Sequence, residues 1–276
     1  MLDLGSLMRV FIGLFLALLP AHALAECANR EEMLRHSYPD ATQSTDGFFL
    51  AGDYAQRISP QDVACKVWPS RPELTLLAVP LLEAEPKDEG EVRGDVEVIV
   101  VDSRTREPLA RRREMGMAYG DAVQFAGVEL DTARYDLRPG VRAFGVVTRQ
   151  YGSSKPNPYS ERSLWLYAYS AGRISRMLDG LVIGQLNGEN DGNCTGETTE
   201  ITRTVGIAST EHEGHRDLTV DETQIYSLSK PTSDDCPSAE VSRKSRQLTL
   251  RFEGGRYRSP VDPEEDRLFS YIEIAE

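Results

Sequence analysis

The chain has 276 residues, with 31 basic against 44 acidic side chains and a formal net charge of −13 at pH 7. Such an excess of carboxylates repels phosphate backbones, so nucleic acid is excluded as the expected partner. The length is ample for one hydrophobic core, or two modest ones.

Residues 1–25 read as a secretory signal peptide. Arg9 is their one basic side chain, partly offset by Asp3. Val10 to Leu19 is apolar apart from Gly13, Pro20 breaks the run, and Ala23-Leu24-Ala25 places small residues at −1 and −3. Cleavage is predicted after Ala25. The apolar run would span roughly 15 Å as a helix, about half the thickness of a hydrocarbon core. No transmembrane anchor is expected, and the expected location is the periplasm. Cys27 near the cut invites a lipoprotein reading, but Glu26 is large and charged where that processing needs a small residue.

Within 26–40 a short helix is predicted around Glu31–His36. Residues 40–72 read as loops with one or two strands, such as Phe48–Tyr54, so 26–72 is expected to pack as an N-terminal segment on a β-rich domain, 73–276. From there a period of two dominates. Leu74, Leu76 and Ala78 alternate, as do Val96, Val98 and Val100. Val141, Ala143, Gly145 and Val147 share a face; Ser163 to Tyr169 is apolar or aromatic on both faces, as a central strand should be. Ile201, Arg203, Val205 and Ile207 follow, then Leu248, Leu250 and Phe252. Pro139-Gly140, Asn187-Gly188, Asp191-Gly192 and Gly254-Gly255 are turn signals between these runs. The acidic Glu83–Glu91 and the polar Pro231–Ser245 read as linkers or long loops. The predicted fold is mainly β: an antiparallel sandwich or barrel-like sheet with a short helical N-terminal segment, or alternatively a small β-propeller.

The four cysteines, Cys27, Cys65, Cys194 and Cys236, follow the predicted cleavage point. An even count in an oxidising compartment predicts two disulfides. Of three connectivities, Cys27–Cys65 and Cys194–Cys236 join cysteines near in sequence, and each would contribute roughly 3–4.5 kcal/mol. There is no Cys-x-x-Cys, which argues against a zinc finger and against a redox-active pair.

Local catalytic patterns fall short. His212-Glu213-Gly214-His215 is one residue short of H-E-x-x-H, whose spacing puts two imidazoles on one helix face. It reads as a hairpin turn; a surface transition-metal site on His212 and His215, with Glu211 or Glu213, is the alternative. Asn187 to Gly192 resembles the start of a calcium loop, yet position 12 is Thr198 rather than Glu. Ser227-Leu228-Ser229-Lys230 fits S-x-x-K, but Pro231 follows at once and the companion motifs are missing or approximate. No catalytic residue is assigned and no cofactor is expected, so an enzyme is the less favoured class. Basic clusters at Arg104–Arg113 and Arg243–Arg246 are read as solvated faces, as are the acidic runs, with a partner-docking surface as the alternative. A partner surface is predicted on the loop 151–159, where Tyr151, Asn157 and Tyr159 offer amphipathic contact.

Several stretches resemble a family of uncharacterised exported (periplasmic) β-rich proteins of Gram-negative bacteria. They are Leu130–Tyr135 with Pro139–Val146, Ser163–Tyr167 and Gly214–Val220. The resemblance covers roughly residues 95–260 and implies export and a β-rich fold, but no activity. More distantly, exported β-rich bacterial proteins include periplasmic lysozyme inhibitors. Gly254-Gly255-Arg256-Tyr257 is similar to a loop in some of them but lacks its serine, and no site is carried over. The expected function is a non-catalytic binding or inhibitor module with a periplasmic or envelope protein as partner. The alternative is an envelope-acting hydrolase with a site assembled from distant residues.

Overall fold

A computed structural model of the chain describes residues 27, 29–52, 55–85, 90–232, 235–259 and 268–270. The leader read at 1–25 lies outside them. No described helix is long and apolar enough to cross a membrane.

The one α-helix among the described residues, α1 (Arg30–Ser37), carries Glu31 and Glu32 in its first turn and Arg35 and His36 in its last, matching the helix dipole at both ends. Next come strands β1 (Thr42–Ser44), β2 (Gly47–Leu50), β3 (Gln56–Ile58), β4 (Ala64–Val67), β5 (Leu74–Glu83), β6 (Gly94–Asp102) and β7 (Pro108–Glu114). They form one antiparallel sheet in the order β1-β2-β3-β5-β6-β7, with β4 also paired to β5. The N-terminal segment thus supplies strands to the same sheet as residues beyond 73.

The second sheet is an eight-stranded antiparallel meander in chain order. Its strands are β8 (Val123–Arg138), β9 (Val141–Gly152), β10 (Tyr159–Ser170), β11 (Arg173–Asn190), β12 (Gly196–His212), β13 (His215–Ser229), β14 (Ser238–Glu253) and β15 (Arg256–Arg258). The architecture is therefore mainly β, two sheets rather than radial blades, and consistent with a sandwich. The meander does not close: β8 approaches β12 and β13 but forms its ladder with β9.

Three apolar layers hold this arrangement. Leu74, Leu76 and Ala78 of β5, with Val96, Val98 and Val100 of β6, pack against Phe144 and Val146 of β9 and Trp165 and Tyr167 of β10. The opposite faces of β5 and β6 (Leu77, Val79, Ile99, Val101) are covered by Met33 and Leu34 of α1 and by Phe48 and Ile58. The opposite faces of β9 and β10 (Ala143, Val147, Leu164, Leu166) meet Leu218, Val220, Leu250 and Phe252, because the twisted meander coils back over them. Burial on both faces explains why Ser163–Tyr169 shows no polar face. Gly180 has φ +47°, and a methyl group there would meet the Trp165 ring at 2.7 Å, so this position requires glycine.

Both expected disulfides are present. Cys27–Cys65 ties the entry to α1 to β4, with Cα atoms 5.9 Å apart. Cys194–Cys236 joins the β11–β12 loop to the β13–β14 loop, with Cα atoms 5.4 Å apart. Two sequence expectations are corrected. Asn187-Gly188, read as a turn, lies inside β11 and pairs with Thr199 and Thr198 of β12. Residues 238–245, read as loop, are the first half of β14 and pair with β13. Their side chains are exposed on both faces, so no hydrophobic alternation marks them as a strand.

Candidate functional site

The far halves of β11–β14 run past the apolar layers, and one of their faces is polar almost throughout. Ladder register aligns this face in cross-strand rows, one residue per strand, because cross-strand partners share a side of the sheet. One row runs Tyr159, Asn187, Thr199, Tyr226, Ser242 from β10 to β14. The next is Glu161, Gln185, Ile201, Gln224, Lys244. A third joins Arg203, Glu222 and Arg246. Together they line a depression of about 900 Å³, including Gln185, Asn187, Thr199, Gln224, Lys244 and Arg246. A smaller depression containing Asn157, Tyr159, Asn187 and Glu189 continues it.

Fixed groups frame the depression. Glu161 is buried and accepts from Tyr159 Oη at 2.7 Å, Ser163 Oγ at 2.7 Å and Gln185 Nε2 at 3.3 Å. Gln185 thereby commits its amide donor to the carboxylate. Tyr226 Oη donates to Glu197 at 2.6 Å, a bond that raises the phenol pKa. Arg203 is buried where β11 leaves β12. Their pairing ends at Gly184↔Thr202, and beyond it β11 pairs with the 268–270 segment instead. Arg203 fills that fork: Nη1 donates to Val182 O and Nε to Glu222 Oε2, each at 2.7 Å. Arg246 Nε binds the other oxygen of Glu222 at 2.7 Å. Burial pushes the Glu222 carboxyl up, but hydrogen bonds from Arg246 and Arg203 outweigh it and hold the pKa below the usual carboxylate range.

Of the sequence-predicted partner residues, Tyr159 and Asn157 lie at the margin of this face. Tyr151 does not join them. Its ladder partner is Ser160, next to Tyr159 along β10, so it stands on the opposite side of the sheet, 49% exposed. This difference sets an expected outcome. Tyr159→Phe strips a donor from a buried carboxylate and should cost about 1–3 kcal/mol. Tyr151→Ala should stay within about 0.5 kcal/mol. Urea unfolding of the two variants separates them.

His212 and His215 are ladder partners across the turn Glu213-Gly214, where both φ angles are positive. His212 Nδ1 binds Asp217 at 2.8 Å, Asp217 also accepts from Thr210 Oγ1 at 2.6 Å, and His215 stacks on Phe252 with ring centroids 3.9 Å apart. Among the described residues no group of three His, Cys, Asp or Glu side chains is arranged to hold a metal. The calcium-like segment is also otherwise engaged. Asn187 and Glu189 belong to β11, and Asp191 Oδ1 accepts from the backbone N–H groups of Asn193 and Thr195, folding the turn. Tyr257, beside the Gly254-Gly255 turn, is buried and donates to Arg216 O.

Sequence reading missed Gln185, Glu222 and Gln224, and placed Lys244 only within the basic cluster Arg243–Arg246. A strand polar on both faces carries no signal of which side matters. The alternation Thr199, Ile201, Arg203 is the one trace of this face in the sequence. No protein-family model, curated protein or solved structure matches this chain.

Proposed function

We propose that the protein is an exported, non-catalytic binding module that takes an elongated polar ligand of the cell envelope across the β11–β14 face. The observation that carries this reading is the set of aligned rows, in which held groups (Gln185, Glu222, Tyr226) surround hydrogen-bonding side chains that have no side-chain hydrogen bond among the described residues. Asn187, Thr199, Gln224 and Lys244 are those side chains. Fixed neighbours reduce the entropy lost on binding. The Cys194–Cys236 bridge ties the two loops at the end of the same strands. The leader pattern and the two disulfides support export.

The test uses the mature chain, immobilised and exposed to a soluble envelope fraction. Wild type and Tyr151→Ala should retain the same component, and an Asn187→Ala/Gln224→Ala double variant should release it. Equal retention by the double variant would overturn the reading. Both substitutions sit at partly exposed strand positions, so the variant should keep its melting temperature.

One observation favours the hydrolase reading: buried Asp217 orients His212 as an acid in a triad orients its general base. Among the described residues, however, no hydroxyl bonds to His212, and Thr210 donates to Asp217 instead. Binding is therefore the better supported function.

A further inference from the structure

We infer that the ligand of the β11–β14 face is an oligosaccharide bearing a carboxylate, with the acidic group seated at Lys244. The inference rests on that face being the binding site.

The chemistry of the uncommitted groups selects the class. Asn187 and Gln224 each offer an amide donor beside an amide acceptor, and Thr199 offers a hydroxyl that does either. Paired donor and acceptor groups match vicinal hydroxyls, which also do both. Ile201 is the one aliphatic side chain in the centre of the rows, so the face gives no apolar pocket to anchor peptide side chains. Apolar area comes instead from two rings. Tyr159 and Tyr226 stand in one row on either side of Asn187 and Thr199, and each phenol is tied to a glutamate at 2.7 and 2.6 Å. Rings anchored through their hydroxyls and set apart along the row suit the C–H faces of pyranoses. The strand spacing agrees: steps of about 4.8 Å make the span from β11 to β14 roughly 14 Å, a few linked pyranose rings.

Charge places the acidic group. Carboxylates Glu161 and Glu197 are occupied by the tyrosines at the β10 and tip sides. At the β14 side, Glu222 pairs with both Arg203 and Arg246, and Lys244 beside them has no ion-pair partner among the described residues. Lys244 is thus a cation left without a paired carboxylate among the described residues, on a chain whose net charge is −13, so a ligand carboxylate is attracted to it.

Calorimetric titration with three defined probes tests this. They are a short oligouronate, its methyl ester, and a glutamate-rich peptide of equal charge. The oligouronate should bind wild type, and Lys244→Met should weaken it about tenfold, or 1.4 kcal/mol. The ester should bind about tenfold more weakly, with no further loss in Lys244→Met. Asn187→Ala and Gln224→Ala should weaken both saccharides. Equal binding of ester and acid, or indifference to Lys244→Met, overturns the carboxylate assignment. Peptide binding that matches the oligouronate overturns the saccharide class. Should no probe bind while the envelope component is still released by the Asn187→Ala/Gln224→Ala variant, the class fails and the face stands. Oligouronate binding that ignores Asn187 and Gln224 removes the face as well.

Discussion

Glu114→Ala should destabilise the protein by about 3–5 kcal/mol. Glu114 ends β7 in the first sheet and Arg176 lies on β11 in the second, and their side chains are 1% and 2% exposed. Arg176 Nη1 meets Glu114 Oε2 at 2.7 Å, making a buried ion pair between the two sheets. Arg112 Nε contacts the other oxygen at 2.5 Å. Removing the carboxylate leaves the guanidinium in a dry environment, with Asp179 at 2.6 Å as its remaining partner. The Tyr167 hydroxyl is fully buried nearby, and burial together with the Glu114 charge holds its pKa well above the ordinary value. A second comparison separates loss of the pair from loss of packing. Glu114→Leu/Arg176→Met removes both buried charges and should cost less than Glu114→Ala alone, because the ions left behind, Arg112 and Asp179, are partly exposed. Urea midpoints with unchanged m-values would check both expectations. A cost for Glu114→Ala below about 1 kcal/mol, the range of an exposed pair, would show that this bridge does not join the sheets.

The sequence was legible where burial imposes a period. β5, β6, β9 and β10 lie between apolar layers, and their valines, leucines and aromatics mark at least one buried face. Both disulfides followed from cysteine separation, and the short helix read near Glu31–His36 is there, with end charges that match its dipole. Two features were hidden for the same physical reason. The first half of β14 has no buried face, so its Arg, Lys and Ser residues look like those of a loop. The binding face collects one residue from each of five strands, between Tyr159 and Arg246. Neighbours in a row are therefore set by ladder register, and register is invisible until the strands are paired. The Tyr151–Tyr159 loop shows the limit clearly. Both tyrosines looked equivalent by composition, yet one step of register puts them on opposite sides of the sheet.

Register also makes Glu222 a joint between stability and binding. Replacing it by alanine should cost about 3 kcal/mol or more, since Arg203 is buried and would keep only the Val182 carbonyl. Glu222→Gln keeps the shape and isolates the charge. Because the folded carboxyl titrates below its ordinary value, its contribution is fully present above about pH 4.3 and is lost as pH falls through the folded pKa. Wild type should therefore lose stability on acidification more steeply than Glu222→Gln, and the two should converge only once the pH has fallen below the folded pKa. Urea midpoints at neutral, mildly acidic and strongly acidic pH would show this; parallel curves would remove Glu222 from the account. The same substitution removes an ion pair from Arg246, which lines the depression and is held there in part by Glu222. Ligand retention at neutral pH should fall in Glu222→Gln even at temperatures where the variant is fully folded. A variant that is destabilised yet retains the ligand unchanged would confine Glu222 to the scaffold and leave Lys244 as the charge that acts.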